Sequence, residues 1–483
     1  MAVAKKIAYN VFFNATAKVL STALALVGIG FITRYLGTEG FGNYSTVLAF
    51  FSFFGAFADL GLYSIATREI SRPNADEKKI MGNVFSLRII ASVVILIITP
   101  VIILFLPYPP EVKVGILIAA ASFAFSSSYS VLNGIFQKNI AMDKVAIADV
   151  IGKVIQTAII ILAVKKNLGF SVIISSLLVY MIFNFIVVFL WSRKYLKFKL
   201  EFDFAYWKKF LKSSLPMGIS VAITFVYFKI DTILLSVLKT GSDVGIYNAA
   251  YKIIENITFF PGMMMGLIFP IMARDIFHNK ESFHSVSNKT FKIFIILIVP
   301  LIIGTLFLSN GIIHLIGGAQ FSAASSTLRI LIFALGFIFF SNFFNNILIA
   351  ANLQKKLVWA LAGCAIFNIV SNLIFIPIYS YNGAAVVSVL TELSVASITF
   401  YLVYKHVKYF PKMENVGKIL LSGLAMAFFL FISKGENFFI SALGSAAVYL
   451  FFLWLTKAIT NEEIRSIISK KPEPSIVEQP IIE

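Results

Sequence analysis

Hydrophobic residues occur along the chain in long runs that recur from end to end, separated by short polar connections. Each run is about 20 residues long, enough for one α-helix to cross a hydrocarbon layer about 30 Å thick. The short alternating segments typical of membrane β-strands are absent from the pattern. The runs predict an all-α integral membrane protein with about fourteen transmembrane helices.

The composition is also that of a membrane protein, and the distribution of charge indicates which side of the membrane each connection faces. The 483 residues are 59% hydrophobic and only 13% charged, and the net charge is +18. Such a charge on a soluble protein would suggest nucleic acid, but the lysines and arginines here gather in alternate connections between apolar runs. We therefore predict a multi-pass protein of the cell membrane with both termini cytoplasmic and no nucleic-acid partner.

An internal repeat divides the helices into two groups. Residues 36–44 match residues 238–247, and residues 168–172 match residues 382–386. Six predicted spans thus repeat as six, and an even number makes both halves enter the membrane from the same side. The pattern predicts two six-helix pseudo-repeat lobes followed by two further helices.

The predicted organisation has five parts, and the connection between the lobes is rich in lysine and aromatic residues. That connection is expected to lie on the inner leaflet as an amphipathic segment. The parts are an N-lobe at 1–195, a basic aromatic linker at 196–213, a C-lobe at 214–410, an extra helix pair at 411–460 and a cytoplasmic tail at 461–483.

Two turn motifs carry a resemblance to a known family. RYLG at 34–37, continued by GNY at 42–44 and DLGL at 59–62, resembles the N-lobe pattern of polysaccharide biosynthesis transporters. Asp231 and VGIY at 244–247 resemble the matching C-lobe pattern. These transporters are the O-antigen and lipid-linked oligosaccharide flippases of the multidrug/oligosaccharidyl-lipid/polysaccharide exporter superfamily, and the resemblance covers nearly the whole chain.

The resemblance implies a central cavity between the lobes, alternating access, and a polyprenyl phosphate or diphosphate oligosaccharide as cargo. The cargo would move from the cytoplasmic to the outer leaflet for cell-surface polysaccharide or glycan assembly. Membrane lipids and glycan polymerase or transferase machinery are the expected partners. The last two helices resemble those of murein-precursor flippases, where such a pair helps form a lipid-tail groove, whereas many family members stop at twelve spans.

Charged side chains inside the spans are the candidate site, because each costs about 2.5–3.5 kcal/mol at mid-bilayer. Counting from span ends places the basic residues of the N-lobe towards the cytoplasm and those of the C-lobe towards the outside. We predict that the two sets form belts at different depths and bind the cargo phosphate in turn. The predicted phosphate-binding residues are Lys18, Arg88, Lys153, Lys229, Lys252 and Arg329.

Four acidic residues within spans are candidates for coupling transport to H⁺ or Na⁺, namely Asp59, Asp231, Glu255 and Glu392. Other interpretations stay open for several charged residues. Lys252 and Glu255 are spaced i to i+3 and could simply pair. Arg88 and Arg329 lie near span ends, where they could extend to the head groups, and Asp59 could anchor a helix.

The motifs of several other protein classes are missing. The chain has no GxxxxGK[ST] loop for ATP, no convergent catalytic set and a single cysteine, Cys364. We therefore expect a non-enzyme without cofactor or metal, driven by a cation gradient, the membrane potential or the cargo gradient. The alternatives are a cation-coupled multidrug antiporter of the same superfamily and a membrane transferase acting on lipid-linked sugars. The basic excess within the spans favours the flippase, because it suits an anionic cargo.

Overall fold

The structure is a computed structural model that describes residues 2–59 and 61–458. Side chains are described except at 2–8, 11–12, 56–59, 216–217, 220–221 and 224–227. The described regular structure consists of helices. They are α1 (Ala2–Asp59), α2 (Leu62–Ile70), α3 (Glu77–Leu104), α4 (Pro110–Lys138), α5 (Met142–Lys165), α6 (Phe170–Ser192), α7 (Phe204–Leu238), α8 (Gly241–Ile257), α9 (Phe259–His278), α10 (Lys280–Gly317), α11 (Ala324–Ala350), α12 (Gln354–Val407), α13 (Val416–Ile432) and α14 (Phe438–Leu455), with a short 3₁₀ turn at Ala319–Phe321.

Two of these helices are too long to cross a membrane once. The 58 residues of α1 would extend about 87 Å if straight, at about 1.5 Å per residue. Instead α1 bends at Gly37, where φ is 69°. The 54 residues of α12 bend in the same manner at Ser380, where φ is 49°. Each helix therefore makes two crossings, joined by a sharp turn.

The number of crossings agrees with the sequence prediction. Within the described chain, ten helices or continuous helix pairs are long and apolar enough to span a membrane, and α1 and α12 are among them. Counting these two twice and adding α7 and α13 gives the predicted fourteen crossings. One crossing is formed jointly by α8 and α9, which separate at Thr258. Pro261 contributes to this break, because proline has no N–H to donate to the carbonyl of Ile257.

The helices pack in two groups and an attached pair. Helices α1 to α6 contact one another, helices α7 to α12 do the same, and α13 and α14 form a hairpin against α10. Gly423 of α13 allows close packing, because a Cβ atom there would lie 2.7 Å from Cγ1 of Val299 on α10. The Tyr449 hydroxyl of α14 donates to the Ile296 carbonyl of α10 at 2.9 Å. We call the two groups the N-lobe and the C-lobe.

The linker between the lobes is folded more tightly than the sequence suggested. Only its first part is irregular, since α7 already begins at Phe204. Oδ1 of Asn83 on α3 accepts hydrogen bonds from the Asp203 backbone N–H and from Trp207 Nε1, both at 2.9 Å. Trp207 is buried against the N-lobe, and the position of the linker on the inner leaflet stays a prediction.

Asp203 also caps α7. Its carboxylate accepts a hydrogen bond from the Tyr206 backbone N–H at 3.0 Å and lies 3.2 Å from Lys79 Nζ. The Tyr206 N–H and then Lys79 lower the pKa of the Asp203 carboxyl below its usual value. The carboxylate therefore stays charged at neutral pH, where it complements the positive end of the helix dipole.

The two repeat motifs meet each other where the lobes touch. Helix α1, just after its bend at Gly37, packs on the first turns of α8. A Cβ atom on Gly42 would lie 1.7 Å from the Gly241 carbonyl oxygen, and one on Gly245 would lie 1.9 Å from the Thr38 carbonyl oxygen. Only glycine permits this approach. We call this contact the closed end of the bundle.

Candidate functional site

A cavity of about 660 Å³ lies between the two lobes. Its walls come from α1, α5 and α6 of the N-lobe and from α7, α8 and α9 of the C-lobe. Five residues singled out from the sequence line it, namely Lys18, Lys153, Lys229, Lys252 and Glu255. We call it the central cavity. Together with Asp149, these are the charged residues of its lining, so lysines outnumber carboxylates by four to two.

On the C-lobe side, one carboxylate holds two lysines. Lys229 Nζ lies 2.5 Å from Glu255 Oε1, and Lys252 Nζ lies 2.7 Å from Glu255 Oε2. The pairing of Lys252 with Glu255 anticipated from their spacing is therefore present, but Lys229 shares the same carboxylate. Lys229 Nζ also lies 5.4 Å from the centre of the Tyr251 ring, within range of a cation–π interaction.

On the N-lobe side, the lysine is placed by neutral and aromatic groups. Lys153 Nζ donates to Gln156 Oε1 at 2.9 Å and lies 4.3 Å from the centre of the Tyr180 ring. Asp149, one helical turn before Lys153, accepts hydrogen bonds from Tyr180 and, at 2.7 Å, from Ser21. Each lobe thus provides two lysines and one carboxylate to the central cavity.

The structure brings the four lysines of the two predicted belts around one cavity, and their separation by depth in the membrane stays a prediction. Lys153 of the N-lobe lines this cavity together with Lys252 of the C-lobe. Lys18 Nζ, in turn, lies 5.9 Å from the ring centre of Phe259 at the start of α9. This lysine of the N-lobe therefore lies beside the C-lobe wall of the cavity.

The two arginines lie elsewhere. Arg88 is 1% exposed and donates to Ser127 of α4 at 3.3 Å, inside the N-lobe. Arg329 donates from Nε to Ser309 of α10 at 2.7 Å. It lines a separate cavity of about 410 Å³ beside the connection between α13 and α14. Neither arginine is among the residues that line the central cavity.

Two of the predicted acidic residues meet inside the C-lobe. Asp231 accepts hydrogen bonds from Asn372 at 2.7 Å, Ser388 at 2.6 Å and Tyr247 at 3.0 Å. Glu392 lines the same small void of about 20 Å³, a volume that accommodates one water molecule or one small ion. Both carboxylates are 4% exposed. We call this group the Asp231 cluster.

The Asp231 cluster has the oxygen-rich chemistry that a hard cation prefers. Asn368 also lines the void, and its amide oxygen accepts a hydrogen bond from Asn372 Nδ2 at 3.2 Å. The Asn372 Oδ1 atom is buried without a hydrogen-bond partner in the described structure. Two carboxylates beside a void of this size fit a monovalent cation or a proton.

The other two predicted coupling residues are Asp59 and Glu255, and Glu255 lies outside the Asp231 cluster. The side chain of Asp59 lies outside the described residues, so its role stays a prediction. Both oxygens of Glu255 are engaged by lysines, and its role in cation coupling stays a prediction. The sequence analysis did not identify Asp149 as a cavity residue, although Asp149 lies within the fifth predicted span. Its i, i+4 spacing to Lys153 was the available signal, because such pairs share one helix face.

The fold and the charged central cavity define a two-lobed helical membrane transporter. The sequence profile of the polysaccharide biosynthesis protein family matches residues 7–275, which is more than half of the chain, and a second profile, MatE, matches residues 216–374. The chain belongs to the polysaccharide biosynthesis protein family, as its turn motifs indicated.

Individual relatives agree with this assignment. The chain is 25% identical over 301 residues to the capsular polysaccharide biosynthesis protein CapF of Staphylococcus aureus, covering 60% of this chain and 74% of CapF. It is 25% identical over 320 residues to a putative O-antigen transporter of Shigella flexneri, covering 64% and 75%. The solved structure of the lipid II flippase MurJ in an inward closed conformation has a TM-score of 0.76 at 20% identity, covering 95% of this chain and all of that one.

Proposed function

We propose that the protein is a flippase that carries an anionic lipid-linked oligosaccharide from the cytoplasmic to the outer leaflet. The observation that carries this proposal is the convergence of Lys18, Lys153, Lys229 and Lys252 from both lobes on one cavity. An excess of lysine in a site with low-dielectric walls attracts phosphate groups and rejects cations. The cargo head group is therefore a polyprenyl phosphate or diphosphate sugar, which the similarity to an O-antigen transporter also favours.

The way the lobes touch supports alternating access as the proposed mechanism. The lobes meet tightly at the closed end, where α1 packs on α8 with glycine at the points of closest approach. We infer that both termini are cytoplasmic, because the lysines and arginines gather on that side of the predicted topology. The closed end then faces outwards, and transport requires the lobes to part there while they close on the linker side.

The driving force is assigned to the Asp231 cluster. Binding of Na⁺ or H⁺ between α7 and the two arms of α12 would change how these helices pack, which couples the ion to the lobe movement. Asp231 and Glu392 are the coupling residues in this proposal. Glycan polymerase or transferase machinery would receive the cargo on the outer side.

The alternative function is a cation-coupled multidrug antiporter, which is supported by the match of the MatE profile to residues 216–374. The two functions make opposite demands on the central cavity. A drug antiporter with cationic substrates needs acidic and aromatic walls, whereas this cavity has four lysines and two carboxylates.

The test is a proteoliposome assay with a fluorescent polyprenyl-diphosphate sugar in one arm and a cationic dye in the other. We expect transport of the lipid-linked sugar only, and a loss of at least about tenfold when Lys153 and Lys229 are both changed to alanine. Lys355→Ala, at an exposed lysine of α12, is the matched control and should transport normally. Transport of the dye alone, or full lipid transport by the folded double variant, would reject the proposal.

A further inference from the structure

A second large cavity, of about 620 Å³, lies outside the central cavity at the start of α10. One wall is the first turns of α10, and the other is the connection between α12 and α13. We call it the α10 pocket. Its principal lining residues are Lys280, His284, Asn288, Lys289, Lys292 and Lys412.

The α10 pocket is a built feature, because hydrogen bonds fix its two walls to each other. Oδ1 of Asn288 on α10 accepts from the Tyr409 hydroxyl at 2.8 Å and from the Lys412 backbone N–H at 3.0 Å. Tyr409 is fully buried, and its ring packs edge-on against Phe283 and His284 at centroid distances of 5.5 and 5.3 Å. The connection that carries Lys412 is therefore held in place.

The charge of the α10 pocket selects an anion. Four lysines line it against two carboxylates, Glu281 and Glu414. Lys412 Nζ lies 3.8 Å from Glu414 Oε1, and the two side chains are 68% and 72% exposed. An ion pair this long and this exposed neutralises little of the positive charge of Lys412. Lysine ammonium groups act as point charges that suit phosphate oxygens.

The surroundings of the α10 pocket indicate that the anion is part of a lipid. Ile293 and Leu297 follow Lys292 on α10, and each is 38% exposed. On α13, Leu420 and Leu424 are 51% and 65% exposed. The basic residues therefore continue directly into apolar surface on both helices, the arrangement that matches the head group and acyl chains of a phospholipid.

We propose that the α10 pocket binds the phosphate head group of an anionic membrane phospholipid, independently of the cargo. A lipid bound there contacts both α10 and the connection to α13, so it joins the C-lobe to the extra helix pair. The site is separate from the central cavity, and its existence does not depend on the proposed transport function.

The experiment uses the full-length protein and counts bound lipids by native mass spectrometry, with phosphatidylglycerol and phosphatidylcholine as competing probes. We expect phosphatidylglycerol to be preferred, and the preference to fall about tenfold or more in the Lys289→Ala, Lys412→Ala double variant, since each lysine near an anionic lipid surface contributes measurably. The Lys355→Ala, Lys405→Ala variant is the control, because it removes two exposed lysines from the two ends of α12. It should bind like the wild type.

Two further arms keep the result interpretable. The Lys289→Arg, Lys412→Arg double variant keeps the charge and should keep the lipid, which separates loss of charge from misfolding. Soluble glycerol 1-phosphate should compete only weakly. Equal retention of both lipids by the wild type, unchanged binding by the alanine variant, or glycerol phosphate binding as tightly as the lipid would each overturn the proposal.

Discussion

Changing Glu255 to glutamine tests whether this carboxylate stands in for the cargo phosphate. Its two oxygens bind one lysine each, Lys229 at 2.5 Å and Lys252 at 2.7 Å, much as two oxygens of a phosphate would. A glutamine side chain is neutral and offers only one acceptor oxygen. At least one lysine of the central cavity should therefore lose its partner and become available to an anionic ligand.

The size of the effect can be worked from the contact that is lost. A hydrogen bond to a charged group contributes about 1.5–3 kcal/mol. The Glu255 side chain is 34% exposed and the Lys229 side chain 14% exposed, so screening by water in the cavity favours the lower figure. If the cargo phosphate must displace Glu255, removing about 1.5 kcal/mol of competition should tighten anion binding about tenfold, since about 1.4 kcal/mol corresponds to a factor of ten.

The assay measures the Kd of a fluorescent polyprenyl diphosphate in nanodiscs, followed by flipping in proteoliposomes. We expect Glu255→Gln to lower the Kd about tenfold and to slow flipping, because release from the cavity becomes harder. Glu69→Gln is the matched control, since Glu69 also joins two cations, Arg68 at 2.9 Å and Arg72 at 2.8 Å, but outside the central cavity. A folded Glu255→Gln protein with an unchanged or higher Kd would refute the reasoning.

Other substitutions probe the remaining parts of the structure. Gly245→Ala places a methyl group against the Thr38 carbonyl, so spin-label distances across the closed end should lengthen and transport should fall; unchanged distances would contradict the contact. Asp149→Asn should reduce flipping several-fold, with a Tm loss of a few degrees, by weakening the support of Lys153; normal flipping would exclude that role. Asp231→Asn should keep cargo binding but abolish the response to Na⁺ and pH gradients. Asn83→Ala removes the acceptor for the linker and should accelerate protease cleavage at 193–203; equal cleavage of wild type and variant would count against it.

The number and order of the helices could be predicted from the sequence because lipid imposes them. A backbone in hydrocarbon must satisfy its own hydrogen bonds, so each apolar run of sufficient length becomes a helix. The bends at Gly37 and Ser380 were anticipated only as short connections between runs. Hydropathy finds the crossings, but it does not distinguish a loop from a helix that turns within a residue.

The arrangement of the site was harder to predict, because it depends on contacts between distant parts of the chain. Lys229 and Glu255 are 26 positions apart and belong to different helices, so no periodicity joins them. Arg88 looked like a candidate for the cavity by its position in a span, yet its side chain is buried in the N-lobe. Sequence reasoning identified all four cavity lysines because charge in a span is costly, but not which of the charged residues contact one another.

The internal repeat has a mechanical consequence that only the structure reveals. Gly42 and Gly245 occupy equivalent positions in the two matched segments, four residues after Thr38 and Gly241 respectively. The steric limits are also equivalent, because a Cβ on Gly42 would meet the Gly241 carbonyl and a Cβ on Gly245 would meet the Thr38 carbonyl. The pseudo-twofold axis of the repeat therefore passes between the two glycines. Moving one lobe away from the other breaks both contacts together, so the closed end should open as a single cooperative step.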